Sequence, residues 1–266
     1  MDSSIITKNT PIYSNIKKIS IDEININETA NILKRWNNWA KIDNKLYYFK
    51  PFNFNELIGE YLCNFNELEC VHNEIGLNEA SNKLYLLTKN FRDDNKYSYE
   101  YASYIPLENL KSKCKNAINY RELINNLLKL FSIDIFMMQN DREPTINMMF
   151  KKDQNGWYSF APAYDFSDSF SSPHYYSTPY FYIELKNEPL YQLLFSLTFY
   201  HTKYTIEEFI NLYPSFYKLL KNYLDISLSD ILSQIEKDYS LNIPAKIFEQ
   251  YNNYEQKSKK ILKRIL

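Results

Sequence analysis

The chain has 266 residues, 45% apolar and 17% aromatic, enough for a sizeable core and too apolar for disorder. Thirty-one basic residues against 32 acidic ones leave a formal charge of −1, so bulk charge draws the chain neither to nucleic acid nor to an anionic membrane. With three glycines only (Gly59, Gly76 and Gly156), the sequence holds neither a Walker A loop nor a Rossmann fingerprint.

In chain order, the N-terminus MDSSIITKNT lacks a basic region followed by an apolar stretch, and no run of 18 apolar residues follows anywhere. Neither secretion nor membrane spanning is expected. KLYYFK (45–50) and KLYLLT (83–88) are short, aromatic and β-rich, and read as strands. Between them Asn53 is placed to cap a helix with Glu56 three residues on. Leu57, Ile58, Tyr61, Leu62, Phe65 and Leu68 then recur on one face. Cys63, Cys70 and Cys114 have no metal-ligand spacing and read as reduced thiols, which implies a cytoplasmic protein.

Residues 120–138 carry Leu123, Ile124, Leu127, Leu128, Phe131 and Ile135 at helical spacing. INMMF and WYSFAP read as two strands joined by a Lys-Asp-Gln-Asn-Gly turn. Beyond residue 185 the pattern predicts helices to the end. Pro189 opens one, Thr205 and Glu208 form a capping box, and Pro214 and Pro244 suit first-turn positions. Ile247, Phe248, Tyr251, Tyr254, Ile261 and Ile265 make the stripe of the last helix. The class is α+β, a small mixed part followed by a larger helical one, with the boundary near residues 105–112.

Chemistry concentrates where apolar segments end in acids. A helix leads into Asp141, a tight loop carries Asn147, and a two-strand unit delivers Asp165. Phosphoryl transfer uses such a set: one carboxylate orients the attacking hydroxyl, while a carboxylate and an amide hold Mg²⁺ against the phosphates. Lys50, ending a strand, can supply a cation for those phosphates if a helix carboxylate fixes it. Glu56 stands six residues on, and Glu60 lies one turn later on the same polar stripe. Arg142 reads as the structural partner of a carboxylate. His72, His174 and His201 read as surface or internally satisfied residues. The run HYYSTPYFY (174–182) reads equally as a substrate loop after Asp165 or as aromatic packing, and KSKKILKR as a solvated helix face.

Four segments resemble the HipA-like serine/threonine kinases. YYFKPFNFNELIGEYLCNFNEL is similar to the family's strand lysine and the helix that bears its glutamate, and KLYLLTKNF to the next strand. DIFMMQNDREPTINMMF resembles the catalytic loop, and FAPAYDFSDSF the metal-binding segment; together they span roughly residues 45–170. The resemblance implies a two-lobed, protein-kinase-like fold with a small mixed N-lobe (1–108) and a larger helical C-lobe (109–266). It implies ATP and Mg²⁺ as cofactors, Lys50 as the phosphate lysine, Glu56 as its partner, Asp141 as catalytic base, and Asn147 and Asp165 as metal ligands. It also implies a protein substrate such as a translation factor or aminoacyl-tRNA synthetase, and a small antitoxin or N-terminal-subdomain-like partner.

This chain departs from the family pattern at three places. Glu143 stands where the family has His, Asn147 falls six residues after Asp141 instead of five, and no glycine-rich loop precedes Lys50. The alternatives are a pseudokinase acting as a binding or antitoxin-like module, and a small-molecule phosphotransferase with the same core.

Overall fold

The computed structural model describes residues 17–19, 39–42, 45–78, 82–93, 96–102, 107–139, 142, 147–170, 181–183, 193–196, 203–204 and 206–266. The first half is built on a sheet of β1 (Lys17–Ile19), β2 (Trp39–Ile42), β3 (Lys45–Pro51), β4 (Asn73–Asn78) and β5 (Lys83–Lys89), with α1 (Phe54–Phe65) between β3 and β4. Its strand order is β1-β4-β5-β3-β2; β1 runs parallel to β4, and every other pairing is antiparallel. Then come β6 (Ser98–Tyr101), α2 (Leu107–Lys113), α3 (Ala117–Phe136), β7 (Met149–Lys152) and β8 (Tyr158–Phe160). The strands β6, β7 and β8 make a second, three-stranded antiparallel sheet.

A third small sheet, ordered β11-β10-β9, follows with β9 (Phe181–Ile183), β10 (Leu193–Ser196) and β11 (Lys203–Tyr204). The chain ends in α4 (Ile206–Leu212), α5 (Pro214–Asn222), α6 (Leu228–Asp238) and α7 (Ala245–Ile265). Here the expectation of helices throughout is corrected, because β10 and β11 lie inside that stretch. Leu-Leu-Phe-Ser is a short continuous apolar run, and periodicity cannot separate such a run from a helical turn. Pro189 and Thr205 lie outside the described residues.

Local chemistry explains the helix starts. Asn53 Oδ1 accepts from the backbone N–H of Asn55 at 2.9 Å, opening α1, while Glu56 turns inward to a different partner. Asn116 caps α3 through the N–H groups of Ile118 and Asn119, both at 2.9 Å. In the β7–β8 turn, Asp153 Oδ1 accepts from the N–H groups of Asn155 and Trp157, and Gly156 supplies a φ of +84°.

One hydrophobic cluster runs through most of the chain. Leu57, Ile58 and Leu62 of α1 meet Leu86 of β5, Phe131 and Phe136 of α3, and Tyr251 and Leu262 of α7 in a single buried set. The helix α1 packs on both α3 and α6. Tyr47 and Leu87 bury on the other face of the first sheet, as strand alternation requires. One member of the expected α1 stripe departs: Phe65, in the last turn, is 53% exposed. Among the described residues no helix is long and apolar enough to cross a membrane.

Candidate functional site

The strand β3 alternates, so Tyr47 points into the sheet's second core while Tyr48 and Lys50 face a cleft. That cleft encloses about 700 Å³ of empty space, part of it open solvent. Its polar lining includes Lys50, Glu56, Asn147 and Asp165. Its aromatic lining is Tyr48, Phe91, Tyr101 and Tyr164, with Arg92 among them. Four of the five residues that the sequence pattern singles out are thus brought to one cleft from β3, α1, the loop before β7 and the segment after β8. The fifth, Asp141, lies outside the described residues, as does Glu143.

Lys50 is the centre of the arrangement. Its Nζ pairs with Glu56 Oε1 and lies 3.3 Å from Asp165 Oδ1. Burial works against the ammonium, but Glu56 and Asp165 together outweigh it and hold the Lys50 pKa well above its ordinary value. Glu56 has a side chain only 1% exposed. Burial raises its pKa, and Lys50 offsets part of that rise. Burial also opposes the Asp165 carboxylate, but Lys50, Arg142 and a hydrogen bond from Ser167 Oγ (2.9 Å) bring its pKa below the usual range. One ammonium therefore faces two carboxylates, which leaves this trio one negative charge in excess.

The segment around Asp165 is held in an uncommon conformation. Asp165 has φ +62°, in the left-handed region that non-glycine residues occupy at a cost. Its carbonyl accepts from Gln139 Nε2 at 2.8 Å. The next residue, Phe166, is buried and packs onto α1 at Gly59, where a Cβ would fall 2.3 Å from the phenylalanine Cγ. Glycine is required there by close approach alone.

Arg142 anchors the neighbouring loop. Its guanidinium forks onto Asp134 (Nε–Oδ2 2.9 Å and Nη2–Oδ1 3.0 Å) and donates Nη1 to the carbonyls of Asn147 (2.8 Å) and Tyr164 (2.6 Å). It also lies 4.9 Å above the Phe166 ring. The expectation that Arg142 pairs with a carboxylate holds, and the partner is Asp134 in α3. A clue to Asp134 exists in the sequence: it is the single charge in the apolar run FSIDIF, and a buried charge demands a partner.

Other candidates resolve differently. Glu60, one turn after Glu56, serves elsewhere: it accepts from the N–H and amide of Asn73 (3.0 and 3.2 Å) and meets His72 Nδ1 at 2.5 Å. His72 is thereby satisfied, while His174 and His201 lie outside the described residues. Of the Tyr-rich run only Phe181 and Tyr182 are described, both in β9. Cys63, Cys70 and Cys114 are free thiols.

The donor set bears on a metal. Among the described residues no group of three or more His, Cys, Asp or Glu is arranged to hold one alone. Mg²⁺ does not require such a group, because it commonly takes one or two carboxylates and completes its shell with water and phosphate oxygens. Asp165 and Asn147, both lining the cleft beside excess negative charge, fit that demand.

No protein-family model matches the sequence, and no curated protein matches it. Among solved structures, the Helicobacter pylori proinflammatory kinase CtkA aligns at 19% identity over 49% of this chain and 54% of that one, with a TM-score of 0.35. HipA of the Shewanella oneidensis MR-1 toxin–antitoxin system, solved with HipB and operator DNA, aligns at 11% identity over 82% of this chain and 57% of that one, with a TM-score of 0.51. Over the aligned part, this chain shares its fold with HipA. The matches span rather more than half the length of either relative.

Proposed function

We propose that this chain is a HipA-like, ATP- and Mg²⁺-dependent phosphotransferase acting on a Ser or Thr hydroxyl of a protein. The observation that carries the reading is the convergence of Lys50, Glu56 and Asp165, from three separate elements, on one cleft that Asn147 also lines. In this reading the first sheet with α1 forms the small lobe (1–108), and residues 109–266 form the larger one.

Each residue then has a defined task. Lys50 neutralises phosphate charge, and Glu56 keeps its ammonium aimed at the cleft. Asp165 and Asn147 supply oxygen ligands for Mg²⁺, which when bound shields the phosphates' negative charge. The tyrosine and phenylalanine rings of the cleft offer flat surfaces for a base. Asp141, assigned from the motif, orients the attacking hydroxyl and accepts its proton. HipA was solved with HipB, which supports a small antitoxin-like partner here as well. A translation factor or aminoacyl-tRNA synthetase is the proposed substrate class, as the resemblance of the four sequence segments to the HipA-like kinases implies.

A second reading, a pseudokinase that binds nucleotide without transferring phosphate, is favoured by the sequence before Lys50, which has no glycine-rich phosphate loop. One experiment separates the two. Wild type and Asp165→Ala are incubated with labelled ATP and Mg²⁺, alone and with cell lysate. Loss of the metal carboxylate should cut label transfer by more than about 100-fold. Equal labelling by both proteins would overturn the role of Asp165, and nucleotide binding without labelling by wild type would establish the second reading.

A further inference from the structure

Asn55, the residue before Glu56, spends its whole amide on long-range contacts. Its Nδ2 donates to the carbonyls of Ser167 (3.0 Å) and Ser169 (2.7 Å), and its Oδ1 accepts from the Tyr251 hydroxyl (2.6 Å). Asn53 Nδ2 donates to the same Ser167 carbonyl at 3.0 Å. Three stretches of chain therefore meet at one buried side chain: the first turn of α1, the segment after Asp165, and the second turn of α7.

The far end of that segment is held by the same helix. Phe170 donates its N–H to the Met137 carbonyl at 2.7 Å. Its ring stacks on Tyr254 (5.2 Å, 8°) and meets Tyr251 edge-on at 5.7 Å. Phe170 has φ +56°, so left-handed residues bracket the segment at both ends, Asp165 being the other. Such conformations persist only where the surroundings impose them. Tyr251, which does not itself line the cleft, reaches both the Glu56 turn and the Asp165 segment.

We propose that Asn55 and Tyr251 are positioning residues: they lock the Glu56 turn of α1 to the Asp165 segment, so that the C-terminal helix sets the geometry of the nucleotide site from behind. The proposal deepens the nucleotide-site reading and rests on it. The physical logic is a population argument. When the lock opens, only a fraction of molecules hold Glu56 and Asp165 in register, and apparent nucleotide affinity falls by that fraction.

Tyr251→Phe tests this in the full chain, since it keeps the ring contacts and removes only the hydroxyl donor. Tyr239→Phe is the control; it removes the hydroxyl that donates to the Asn73 carbonyl at 2.8 Å, and neither residue itself lines the cleft. Two quantities are measured: amide hydrogen exchange at Ser169 and Phe170, and the Kd of Mg-ATP by calorimetry. The lock predicts exchange raised about tenfold in Tyr251→Phe and unchanged in the control, and a Kd that rises as 1 + K across the variants, K being the open-to-closed ratio that the exchange reports. Asn55→Ala, which loses all three bonds, should exceed it. Unchanged exchange in Tyr251→Phe, or equal acceleration in both tyrosine variants, would overturn the lock. Exchange that puts the open form in the majority in Asn55→Ala, with Kd unchanged, would overturn its positioning role. Wild-type protein that binds no Mg-ATP would instead sink the nucleotide reading, and the exchange comparison would still decide whether the lock exists.

Discussion

Arg142 meets Asp134, and Lys50 meets Glu56: two buried cation–carboxylate pairs, both beside the Asp165 segment, that end in opposite states. The Arg142 pair is closed. One cation faces one carboxylate through two bonds, and the guanidinium's other hydrogen bonds go to backbone carbonyls, with the Phe166 ring against its face. The Lys50 group is open. One ammonium is shared between two carboxylates and borders a cleft, so negative charge is left for something to come and bind. A neutral, fully bonded pair builds a scaffold, whereas an unbalanced one beside a cavity makes a site.

The sharpest way to break this contrast is to remove the closed pair's cation. Arg142→Met strands Asp134 in an apolar environment and should cost about 3–5 kcal/mol in urea unfolding, without a comparable loss from the double variant with Asp134→Leu. A single-variant loss below about 1 kcal/mol would mean that the pair is not scaffold.

Gly59→Ala should have the next largest effect. The new Cβ collides with Phe166, and the cost should be about 1–3 kcal/mol of unfolding free energy, with Asp165 displaced in consequence. A neutral substitution would show that Phe166 is free to move and that the Asp165 segment is not packed against α1.

How much of this was written locally in the sequence follows from where each partner sits. The strand that carries Lys50, the helix opened by Asn53 and the turn at Asp153 each rest on neighbours a few positions away, and all three are legible. Lys50, Glu56, Asn147 and Asp165 stand out because they end or begin apolar elements. By contrast, the partners of Asn55 lie 112, 114 and 196 positions away, and the two carbonyls that Arg142 bonds lie 5 and 22 away, so no local pattern announces them. The strand β4 hides for another reason. Asn73 and Asn78 are buried polar residues, and they erase the apolar alternation that marks a strand.

The smallest expected effect concerns the back of α1. The hydrogen bond that His72 Nδ1 donates to the Glu60 carboxylate raises the pKa of His72, with burial opposing it. A raised folded-state value means that its contribution is fully present below the unfolded value of about 6.5 and is lost as pH rises through the folded one. Thermal melts at about pH 5.5 and about pH 8.5 should show a small drop in wild type that His72→Gln lacks. Equal drops in both proteins would assign the pH dependence to another group. Because His72 is 70% exposed, this increment should be slight beside the two above.

The central claim is that the open charge of the Lys50 group recruits a metal–nucleotide pair, and calorimetric titration with ATP tests it most directly. Wild type should bind ATP in the presence of Mg²⁺ and lose about tenfold or more in affinity when the metal is chelated; Glu56→Gln should lose a similar factor with Mg²⁺ present while remaining folded. Binding that ignores both the metal and Glu56, or no binding at all by a folded wild-type chain, would contradict the claim.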